Sequence, residues 1–504
     1  MAAIERILID IGHHVATMDI PPIAWSLLPV VEVVWLVLSA IYLILQRRSS
    51  QATLAWFFAL AFLPVVGILV YLVFGPRRFE KRKKRRARAQ EAVRELAIDE
   101  RMSELDIPAP VKRLIELAEG AAGRAARPRL GQVQVFFNGK DKYDALAASL
   151  SQAKHHIHIE YYIWEPDETG TRLRDVLAER AKAGVEVRVL VDGFGSSKAH
   201  DRFWSPLTDA GGRVVRFNEL TLTRFRPSMT NFRTHRKIAV IDGRVAFTGG
   251  MNITDVHTSA VSGTGAWRDT HMRVEGDAAL GLQLVFFEDW YYATDQVPEG
   301  EAYLARAERA AEENASAGGE GRDEPVQIIA SGPDENLDAI HKVYFSSIAA
   351  ADRQVLLTTP YFVPDEALVT ALTSAALRGA DVRILVPATG DVPLVSWASR
   401  SYYLELLEVG VRIFEYGPPE LHAKTLAVDD TLAIIGTANA DNRSFRLNFE
   451  VVAALYDRKR VAELRDAFEA DLAEATEVTL DAVRNTPLGT RLRSSAARLF
   501  SPIL

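Results

Sequence analysis

The chain contains no cysteine, and this absence excludes several kinds of chemistry. A protein of 504 residues without a thiol has no disulfide, no cysteine nucleophile, no cysteine-ligated zinc and no cysteine lipidation. An excess of positive charge is missing as well, because 59 Lys and Arg face 66 Asp and Glu and the formal net charge is −7. Since a general nucleic-acid-binding protein carries a basic domain, this balance predicts that nucleic acid is not a partner.

Charge is almost absent from two long stretches near the N-terminus. Residues 24–45 contain one acidic and no basic side chain, and residues 52–74 contain neither. Each stretch is long enough to cross a hydrocarbon core of about 30 Å. Glu32, Pro29 and Pro64 are unfavourable in lipid unless they face the other helix or a polar pocket. The sequence therefore predicts a tight transmembrane helical hairpin.

Positive charge is concentrated directly after the second stretch. Residues 77–88 carry nine Lys or Arg and one acid, whereas the connection between the stretches carries only Arg47 and Arg48. The positive-inside rule therefore predicts a multi-pass membrane protein whose termini and folded domains lie in the cytoplasm. A charge run is usually only a solvated surface, but beside a membrane helix it also attracts anionic headgroups.

Beyond residue 130 the chain repeats one pattern of strands and helices. The stretches beginning VQVFFNG at residue 133 and VQIIASG at residue 326 each run strand, helix, strand, helix, strand. Apolar runs after glycine-ended helices favour the inner strands of a largely parallel sheet covered by helices. The predicted fold class is α/β, with two tandem domains, each a mixed sheet flanked by helices, preceded by the transmembrane hairpin.

These features divide the chain into six parts. The parts are a membrane anchor with two hydrophobic helices (1–76), a basic juxtamembrane and helical connector (77–129), a first α/β domain (130–305), an acidic linker (306–323), a second α/β domain (324–480) and a C-terminal amphipathic segment (481–504). The last segment mixes large apolar residues with arginines, which is typical of a helix in a membrane interface. A helix docked on the last domain is the equal alternative.

Both repeats contain the same polar motif at matched positions. His235, Lys237 and Asp242 stand at offsets 0, 2 and 7 in the first repeat. The second repeat has His422, Lys424 and Asp429 at the same offsets, and both repeats add a glycine at offset 14 (Gly249, Gly436) and an asparagine at offset 17 (Asn252, Asn439). Five matched positions in two copies predict a duplicated functional site.

The local pattern of each motif predicts a strand, a hairpin turn and a returning strand. A His and a Lys two apart on a strand project from one face, because side chains alternate. The pairs Asp-Gly and Asp-Asp that follow are typical of hairpin turns. For each motif aspartate, the alternative to supporting the site is therefore an ordinary turn residue or a structural ion-pair partner.

The paired motifs resemble the HxKxxxxD signature of the phospholipase D superfamily, in which two copies form one active site. The resemblance covers nearly the whole chain after residue 130. Other stretches are similar to one branch, the bacterial cardiolipin synthases: LAWFFALAFLPVVGILVYLVFG, EYYIWEPDETG, WRDTHMRVEG, RSYYLELLEVGVRIFEY and the terminal LFSPIL. This branch implies a bacterial inner-membrane enzyme that converts two phosphatidylglycerol molecules to cardiolipin and glycerol, without a metal or other cofactor.

The resemblance also implies roles for the motif residues. His235 attacks phosphorus to form a phosphohistidine, while His422 acts as acid and then as base. The symmetry of the site permits the reverse assignment. Both lysines hold phosphate oxygens, and the two asparagines add neutral donors where charge grows in the transition state.

In this superfamily a carboxylate further along each repeat holds the remote nitrogen of a histidine. Glu450, at offset 28 from His422, matches that position. The first repeat departs from the pattern, because offset 28 from His235 is Gly263 and the nearest candidate, Asp269, comes six residues later. An insertion of that length would let Asp269 serve.

Several alternatives stay open at the level of sequence. His156, His158 and Glu160 share a strand face, as in some metal sites, although an ordinary strand near the cleft is favoured.

A hydrolytic phospholipase D or another phosphatidyltransferase differs from a cardiolipin synthase only in its second nucleophile. A membrane-tethered nuclease is disfavoured by the acidic balance. An inactive lipid-binding scaffold predicts loss of a motif histidine or lysine, and all four are present. Donor headgroup, acyl preference and oligomeric state are not determined.

Overall fold

The computed structural model describes residues 22–46, 50–74, 109–123, 126–219, 232–258, 265–296, 303, 323–334 and 337–504. The described residues form two compact units, an N-terminal helical unit and an α/β unit that follows residue 78. The basic run at residues 77–88 lies outside the described residues, as does the acidic linker apart from residue 323.

The N-terminal unit consists of three described helices. They are α1 (Pro22–Ile44), α2 (Ser50–Phe62) and α3 (Pro64–Phe74). The second hydrophobic stretch is therefore broken, because Pro64 has no N–H to donate to the preceding turn and starts a new helix. The Trp35 indole donates to the Leu60 carbonyl at 3.2 Å, and the Gln46 amide donates to the Tyr71 hydroxyl at 2.9 Å. These contacts pack α1 against both shorter helices.

Over the described ranges, none of the helices has both the length and the apolar character needed to cross a membrane.

The α/β unit contains, among its described residues, strands β1 to β17 and helices α4 to α16. The strands are β1 (Arg129–Phe136), β2 (His156–Tyr161), β3 (Glu186–Asp192), β4 (Arg213–Phe217), β5 (Lys237–Ile241), β6 (Val245–Gly249), β7 (His271–Glu275), β8 (Glu324–Ser331), β9 (Gln354–Thr358), β10 (Phe362–Val363), β11 (Asp381–Pro387), β12 (Arg412–Tyr416), β13 (Thr425–Val428), β14 (Leu432–Gly436), β15 (Ala440–Asp441), β16 (Glu450–Leu455) and β17 (Ala475–Glu477). The helices are α4 (Ala109–Ala122), α5 (Gly139–Ser151), α6 (Glu168–Lys182), α7 (Asp201–Thr208), α8 (Ala278–Thr294), α9 (Ala339–Ala349), α10 (Glu366–Leu377), α11 (Pro393–Arg400), α12 (Tyr403–Leu407), α13 (Asn442–Arg446), α14 (Arg458–Leu472), α15 (Leu480–Arg484) and α16 (Leu488–Arg498).

One sheet of 15 strands runs through both repeats. The first repeat contributes the order β1-β7-β6-β5-β2-β3-β4, and the second contributes the equivalent order β8-β16-β14-β13-β9-β11-β12, with β17 at the edge. An antiparallel pairing of β1 with β8 joins the two halves. The internal repeat read from the sequence is therefore present in the strand topology.

The sheet is mixed, as predicted for the fold class, and the two apolar runs expected in parallel surroundings, β3 and β11, pair in parallel with both of their neighbours. Within the large sheet, parallel pairing is confined to β2–β3–β4 and to β9–β11–β12. The strands of the two motifs pair in antiparallel fashion with their neighbours. The β5–β6 and β13–β14 pairings are the hairpins predicted for the two motifs, because a tight hairpin joins only antiparallel strands.

The two repeats share part of their hydrophobic core. Ile238 and Val240 of β5 belong to one buried cluster with Ile435 of β14 and Val451 of β16. Each repeat also has a second core where helices cover the sheet. Burial of apolar side chains from both repeats in one cluster stabilises the two halves together. The boundaries 130–305 and 324–480 stay a prediction for two domains.

Candidate active site

Both motif histidines lie in extended segments just before a strand, and each segment is anchored to the opposite repeat. The His235 backbone N–H donates to the Phe449 carbonyl at 2.9 Å. The His422 N–H donates to the Arg268 carbonyl at 2.8 Å. Isolated parallel bridges accompany both contacts. Strands β5 and β13 begin after the histidines, so each His–Lys pair lies at the start of a strand, whereas the sequence predicted that the whole pair lies within one. The backbone contacts hold the two repeats together at the site.

The carboxylates that hold the histidines are exchanged between the repeats. His235 Nδ1 lies 3.0 Å from both Glu450 Oε1 and Oε2. His422 Nδ1 lies 2.7 Å from Asp269 Oδ2. Because an ionised carboxylate only accepts, each Nδ1 carries the proton and each Nε2 is left as a base. Each half of the site is therefore completed by the other repeat.

Asp269 occupies the position in the first repeat that Glu450 occupies in the second. In the sheet register Gly249 pairs with His271, and the equivalent Gly436 pairs with Val452. Asp269 precedes His271 by two residues, as Glu450 precedes Val452. The six additional residues of the first repeat therefore come before Asp269 in the chain, and they leave its register unchanged.

Two buried lysines accompany the histidines. Lys237 Nζ donates to the His235 carbonyl at 2.7 Å, and Lys424 Nζ lies 2.9 Å from His422 Nδ1 and also contacts the His422 carbonyl. Burial lowers the pKa of Lys237 to about 7 and that of Lys424 to about 8. The positive charge of Lys424 also lowers the pKa of Lys237. Each ammonium therefore lies beside the histidine of its own motif, and the charges of the two lysines influence each other.

Burial and charge set the protonation of the histidine–carboxylate pairs. Burial, followed by the charge of Lys424, lowers the pKa of His422 to about 4. Burial likewise lowers the pKa of His235, although Glu450 opposes the change. Burial alone raises the pKa of Asp269, but Lys424 and His422 outweigh it and bring the pKa to about 2. The empty site therefore holds neutral imidazoles beside ionised carboxylates.

The two carboxylates have different surroundings. Glu450 also accepts hydrogen bonds from the Thr437 hydroxyl and, at 3.1 Å, from the Asn448 amide. The residue that corresponds to Thr437 in the first repeat is Gly250. A Cβ atom at Gly250 would lie 2.0 Å from Asp269 Oδ1. Hence the glycine provides the space that Asp269 needs, and the two half-sites are not identical.

The backbone of each motif asparagine is held by a side chain five residues later. The Asn252 N–H donates to His257 Nε2 at 3.3 Å, and the Asn439 N–H donates to Ser444 Oγ at 3.0 Å. The hydroxyl of Tyr143 also donates to the Asn252 carbonyl. None of these three residues was among the predicted site residues, although the equal offsets of His257 and Ser444 from the two asparagines are visible in the sequence.

Asp242 and Asp429 do not reach the site. Asp242 lies beyond the far end of β5 with φ 53°, and Asp429 lies beyond β13 with φ 52°. The Asp242 carboxylate accepts from the backbone N–H groups of residues 154, 155 and 156 at 2.7–2.9 Å. Asp429 accepts in the same way from residues 352, 353 and 354. The catalytic assignment made from the signature is therefore corrected to a turn-stabilising role.

A buried ionic cluster behind the motif was not foreseen. Arg236 is fully buried, and its guanidinium donates to the Glu450 carbonyl at 3.0 Å and the Ser331 carbonyl at 3.1 Å. It also pairs with Asp289 of α8. Burial raises the pKa of neighbouring Glu160 well above its usual value. Arg236 thus ties the first motif to the second repeat, and no local sequence pattern identifies its distant partners.

The HHIHIE stretch does not form a metal-binding cluster. His156 lies 2.9 Å from the side-chain oxygen of Gln283, and the Gln283 amide lies 2.8 Å from His158. In the part of the chain that the structure describes, ligand spacing for a metal occurs only at His257, Asp269 and His422. The ammonium of Lys424, 2.9 Å from His422 Nδ1, opposes a cation there.

Two neutral imidazoles with ionised carboxylates at Nδ1, each accompanied by a lysine, are groups that can supply a nucleophile, an acid–base group and an anion site. This site on a duplicated mixed α/β sheet defines a phospholipase D-like enzyme. The chain matches the family described as "Cardiolipin synthase, PLD-like domain" over residues 146–262 and 344–472, and "Phospholipase D-nuclease N-terminal" over residues 33–76.

The chain belongs to the cardiolipin synthase family. It is 37% identical over 489 residues to cardiolipin synthase 1 of Bacillus anthracis, covering 95% of both chains. It is 41% identical over 466 residues to the cardiolipin synthase of Geobacillus thermodenitrificans, covering 91% of this chain and 90% of the relative. The crystal structure of phosphatidylserine synthase from Haemophilus influenzae shares the fold, with a TM-score of 0.58 and 17% identity, covering 78% of this chain and 99% of that one.

Proposed function

We propose that this protein transfers a phosphatidyl group from one phosphatidylglycerol to a hydroxyl of a second, which yields cardiolipin and free glycerol. The observation that carries the proposal is the crossed pair of histidine–carboxylate contacts, His235 with Glu450 and His422 with Asp269. Such a pair provides one nucleophile and one acid–base group around a single phosphate. The names of the relatives, which are cardiolipin synthases, support cardiolipin as the product.

In the first half-reaction His235 is the nucleophile. Its Nε2 forms a bond to phosphorus, the bond from phosphorus to the glycerol oxygen breaks, and His422 gives a proton to that oxygen. Lys237 and Lys424 hold the non-bridging oxygens, whose charge raises the pKa of His422 from its low value in the empty site. Protonated His422 is therefore a feature of the substrate complex.

In the second half-reaction the phosphatidyl group is transferred from the phosphohistidine to a second lipid. The glycerol hydroxyl of a second phosphatidylglycerol gives its proton to His422, its oxygen forms the bond to phosphorus, and the bond from phosphorus to Nε2 of His235 breaks. Both histidines return to their starting state. We assign Asn252 and Asn439 as neutral donors to the phosphate oxygens as charge grows.

The proposal includes membrane insertion of the N-terminal helices. Large apolar side chains of this unit are exposed, including Val31 at 63%, Phe62 at 77% and Val65 at 71%. Exposed apolar surface on packed helices is suited to lipid contact. We place the helices in the inner membrane of a bacterial cell and, from the charge asymmetry of the flanks, the α/β unit on its cytoplasmic face.

The test is product analysis with the purified full chain in mixed micelles of phosphatidylglycerol. Cardiolipin and glycerol in equal amounts are expected. Phosphatidic acid without cardiolipin would identify a hydrolytic phospholipase D, and no lipid change from a folded preparation would identify an inactive scaffold. With a p-nitrophenyl phosphodiester, whose leaving group departs without a proton, His422→Ala is expected to trap phosphohistidine on His235, whereas a label on His422 in His235→Ala would reverse the two roles.

A further inference from the structure

The C-terminal helix has its apolar side chains on the outside. Ser494 and Ala497 are the buried residues of α16, whereas Leu488, Leu492 and Leu499 are 71%, 61% and 80% exposed. A helix that is merely docked on a domain buries its large apolar side chains and exposes its polar ones. Here small residues face the protein, so the docked-helix alternative does not account for the leucines.

The exposed leucines continue into a basic and apolar terminus. Phe500 and Ile503, in the short 3₁₀ turn Ser501–Ile503 and just before it, are 49% and 40% exposed. From residue 488 to the end the chain has three arginines and no acidic side chain. All three arginines are exposed; the Arg493 guanidinium lies 4.7 Å from the centre of the Trp397 ring, and Arg498 pairs with Glu405 at 3.0 Å. Large apolar residues beside basic ones are complementary to an anionic lipid surface.

The same segment is attached to the second half-site. The Ser501 carbonyl accepts from the Asn442 amide at 3.1 Å, and the Leu504 carbonyl accepts from the Arg443 N–H at 2.9 Å. Both partners belong to α13. Ser444 in that helix accepts the Asn439 N–H at 3.0 Å. A force or a position imposed on the terminus is therefore transmitted through one short helix to a residue of the active site.

We propose that residues 488–504 form a second membrane-docking element that lies in the interface of an anionic phospholipid bilayer and orients the active site towards it. This inference rests on the proposed function, because it supplies a reason for the site to face lipid. The exposed face of residues 488–504 binds a bilayer surface rich in anionic headgroups, rather than a second copy of the chain.

The absence of cysteine makes a site-specific test direct. A fluorophore on Leu499→Cys in the full chain, reconstituted in phosphatidylglycerol vesicles, is expected to shift to the blue and to be quenched by nitroxide-labelled acyl chains. The same fluorophore on Lys182→Cys, an exposed site on α6, is the comparison. No quenching at residue 499 would overturn the proposal, as would concentration-dependent shielding without lipid, which indicates a second copy.

Activity measurements separate docking from chemistry. The double variant Leu492→Glu/Leu499→Glu is expected to slow turnover on phosphatidylglycerol vesicles by about tenfold. Turnover of dispersed short-chain phosphatidylglycerol, which presents no bilayer, is expected to stay at the wild-type level. Leu377→Glu, at a leucine 72% exposed on α10, is the matched control and is expected to leave both rates unchanged.

The outcomes for the two proposals are distinguishable. Equal loss of turnover on vesicles and on dispersed substrate would contradict docking and indicate damage to α13. Equal effects of Leu377→Glu and the double variant on vesicles would also contradict it. If the wild-type chain makes no cardiolipin from either substrate while the label at residue 499 is quenched by lipid, docking stands and the proposed function fails.

Discussion

At the scale of single residues, the exchange of carboxylates assigns each one to the histidine of the opposite repeat. Glu450 therefore serves His235, and Asp269 serves His422. Loss of a carboxylate is expected to imitate loss of the histidine that it holds, because the wrong tautomer then places a proton on Nε2. Each carboxylate is therefore expected to support the reaction step of the histidine in the opposite repeat, not that of the histidine in its own repeat.

This exchange predicts different defects for two matched variants. With a p-nitrophenyl phosphodiester, whose leaving group departs without a proton, Asp269→Asn is expected to keep the initial burst and to accumulate phosphohistidine. Glu450→Gln is expected to lose the burst, with a rate lower by up to about 10⁴-fold. Rapid-quench kinetics and acid-free digestion measure both. Glu324→Gln, at a carboxylate paired with Arg460, is the control.

The reverse pattern, a burst in Glu450→Gln and none in Asp269→Asn, would assign the nucleophile to His422. Equal loss of the burst in both variants would contradict the division of roles between the half-sites.

The two lysines predict the alkaline limit of substrate capture. Their pKa values of about 7 and 8 in the empty site are below the usual lysine value, so both lose charge as the pH rises through this range. A phosphodiester anion binds the charged forms, and kcat/KM is therefore expected to start to fall at about pH 7, as Lys237 loses its charge, and to fall more steeply above about pH 8, as Lys424 does. The bound anion raises the pKa of both lysines, so kcat is expected to persist to higher pH.

Steady-state pH profiles on a neutral detergent surface measure both parameters. A kcat/KM that stays constant to pH 10 would contradict the depressed pKa values of the two lysines. Lys237→Arg, which keeps its charge at every pH used, is expected to shift the alkaline limb upward even where its overall rate is lower.

At the scale of secondary-structure elements, the motif is a hairpin whose two ends have different functions. The N-terminal end of β5 or β13 presents the histidine and lysine to the site. The other end carries Asp242 or Asp429, which closes the turn and holds the strand entry of β2 or β9. The signature therefore combines the residues proposed as catalytic with one that stabilises a turn.

The adjacent aspartates of the second hairpin test this division. Asp429→Ala removes the acceptor of three backbone N–H groups and is expected to lower the free energy of unfolding by about 2 kcal/mol. Asp430 forms a surface ion pair with Arg353 at 2.6 Å, and Asp430→Ala is expected to cost less than about 1 kcal/mol. Chemical denaturation measures both. A loss of turnover per folded molecule in Asp429→Ala, with unchanged stability, would restore a catalytic role.

At the scale of the whole molecule, the repeats are joined by a continuous sheet, a shared core and the interlocked site. Ile238 and Ile435 are both fully buried in the cluster that spans the repeats. Neither half of the active site is complete without the other. These contacts therefore favour one cooperative folding unit over two independently stable domains.

Cooperative unfolding of the α/β unit is the corresponding prediction. Hydrogen exchange of the full chain in detergent is expected to show loss of protection in β5 and in β13 at the same denaturant concentration. Ile238→Ala is expected to destabilise both strands by about 3 kcal/mol, although it belongs to the first repeat. Loss of protection in one repeat at a clearly lower concentration would establish two separate folding units.

The sequence by itself determined those features that depend on residues close together in the chain. Alternation of side chains, turn-forming pairs and the offsets common to both repeats were sufficient for the duplicated motif, the α/β class and the family. The resemblance to the phospholipase D superfamily, applied to these offsets, implied Glu450 and Asp269 as the carboxylates that hold the histidines. These features are local or repeated, so they are visible along a single chain.

Only the tertiary structure decided which distant groups meet. The exchange of Glu450 and Asp269, the clamp formed by Arg236 and the structural role of Asp242 depend on contacts between residues far apart in the chain. The outward leucines of α16 are a further case, because a hydrophobic pattern gives the face of a helix but not the direction in which it points. Non-local packing selects among arrangements that the local pattern permits equally, and that is why sequence reasoning left these points open.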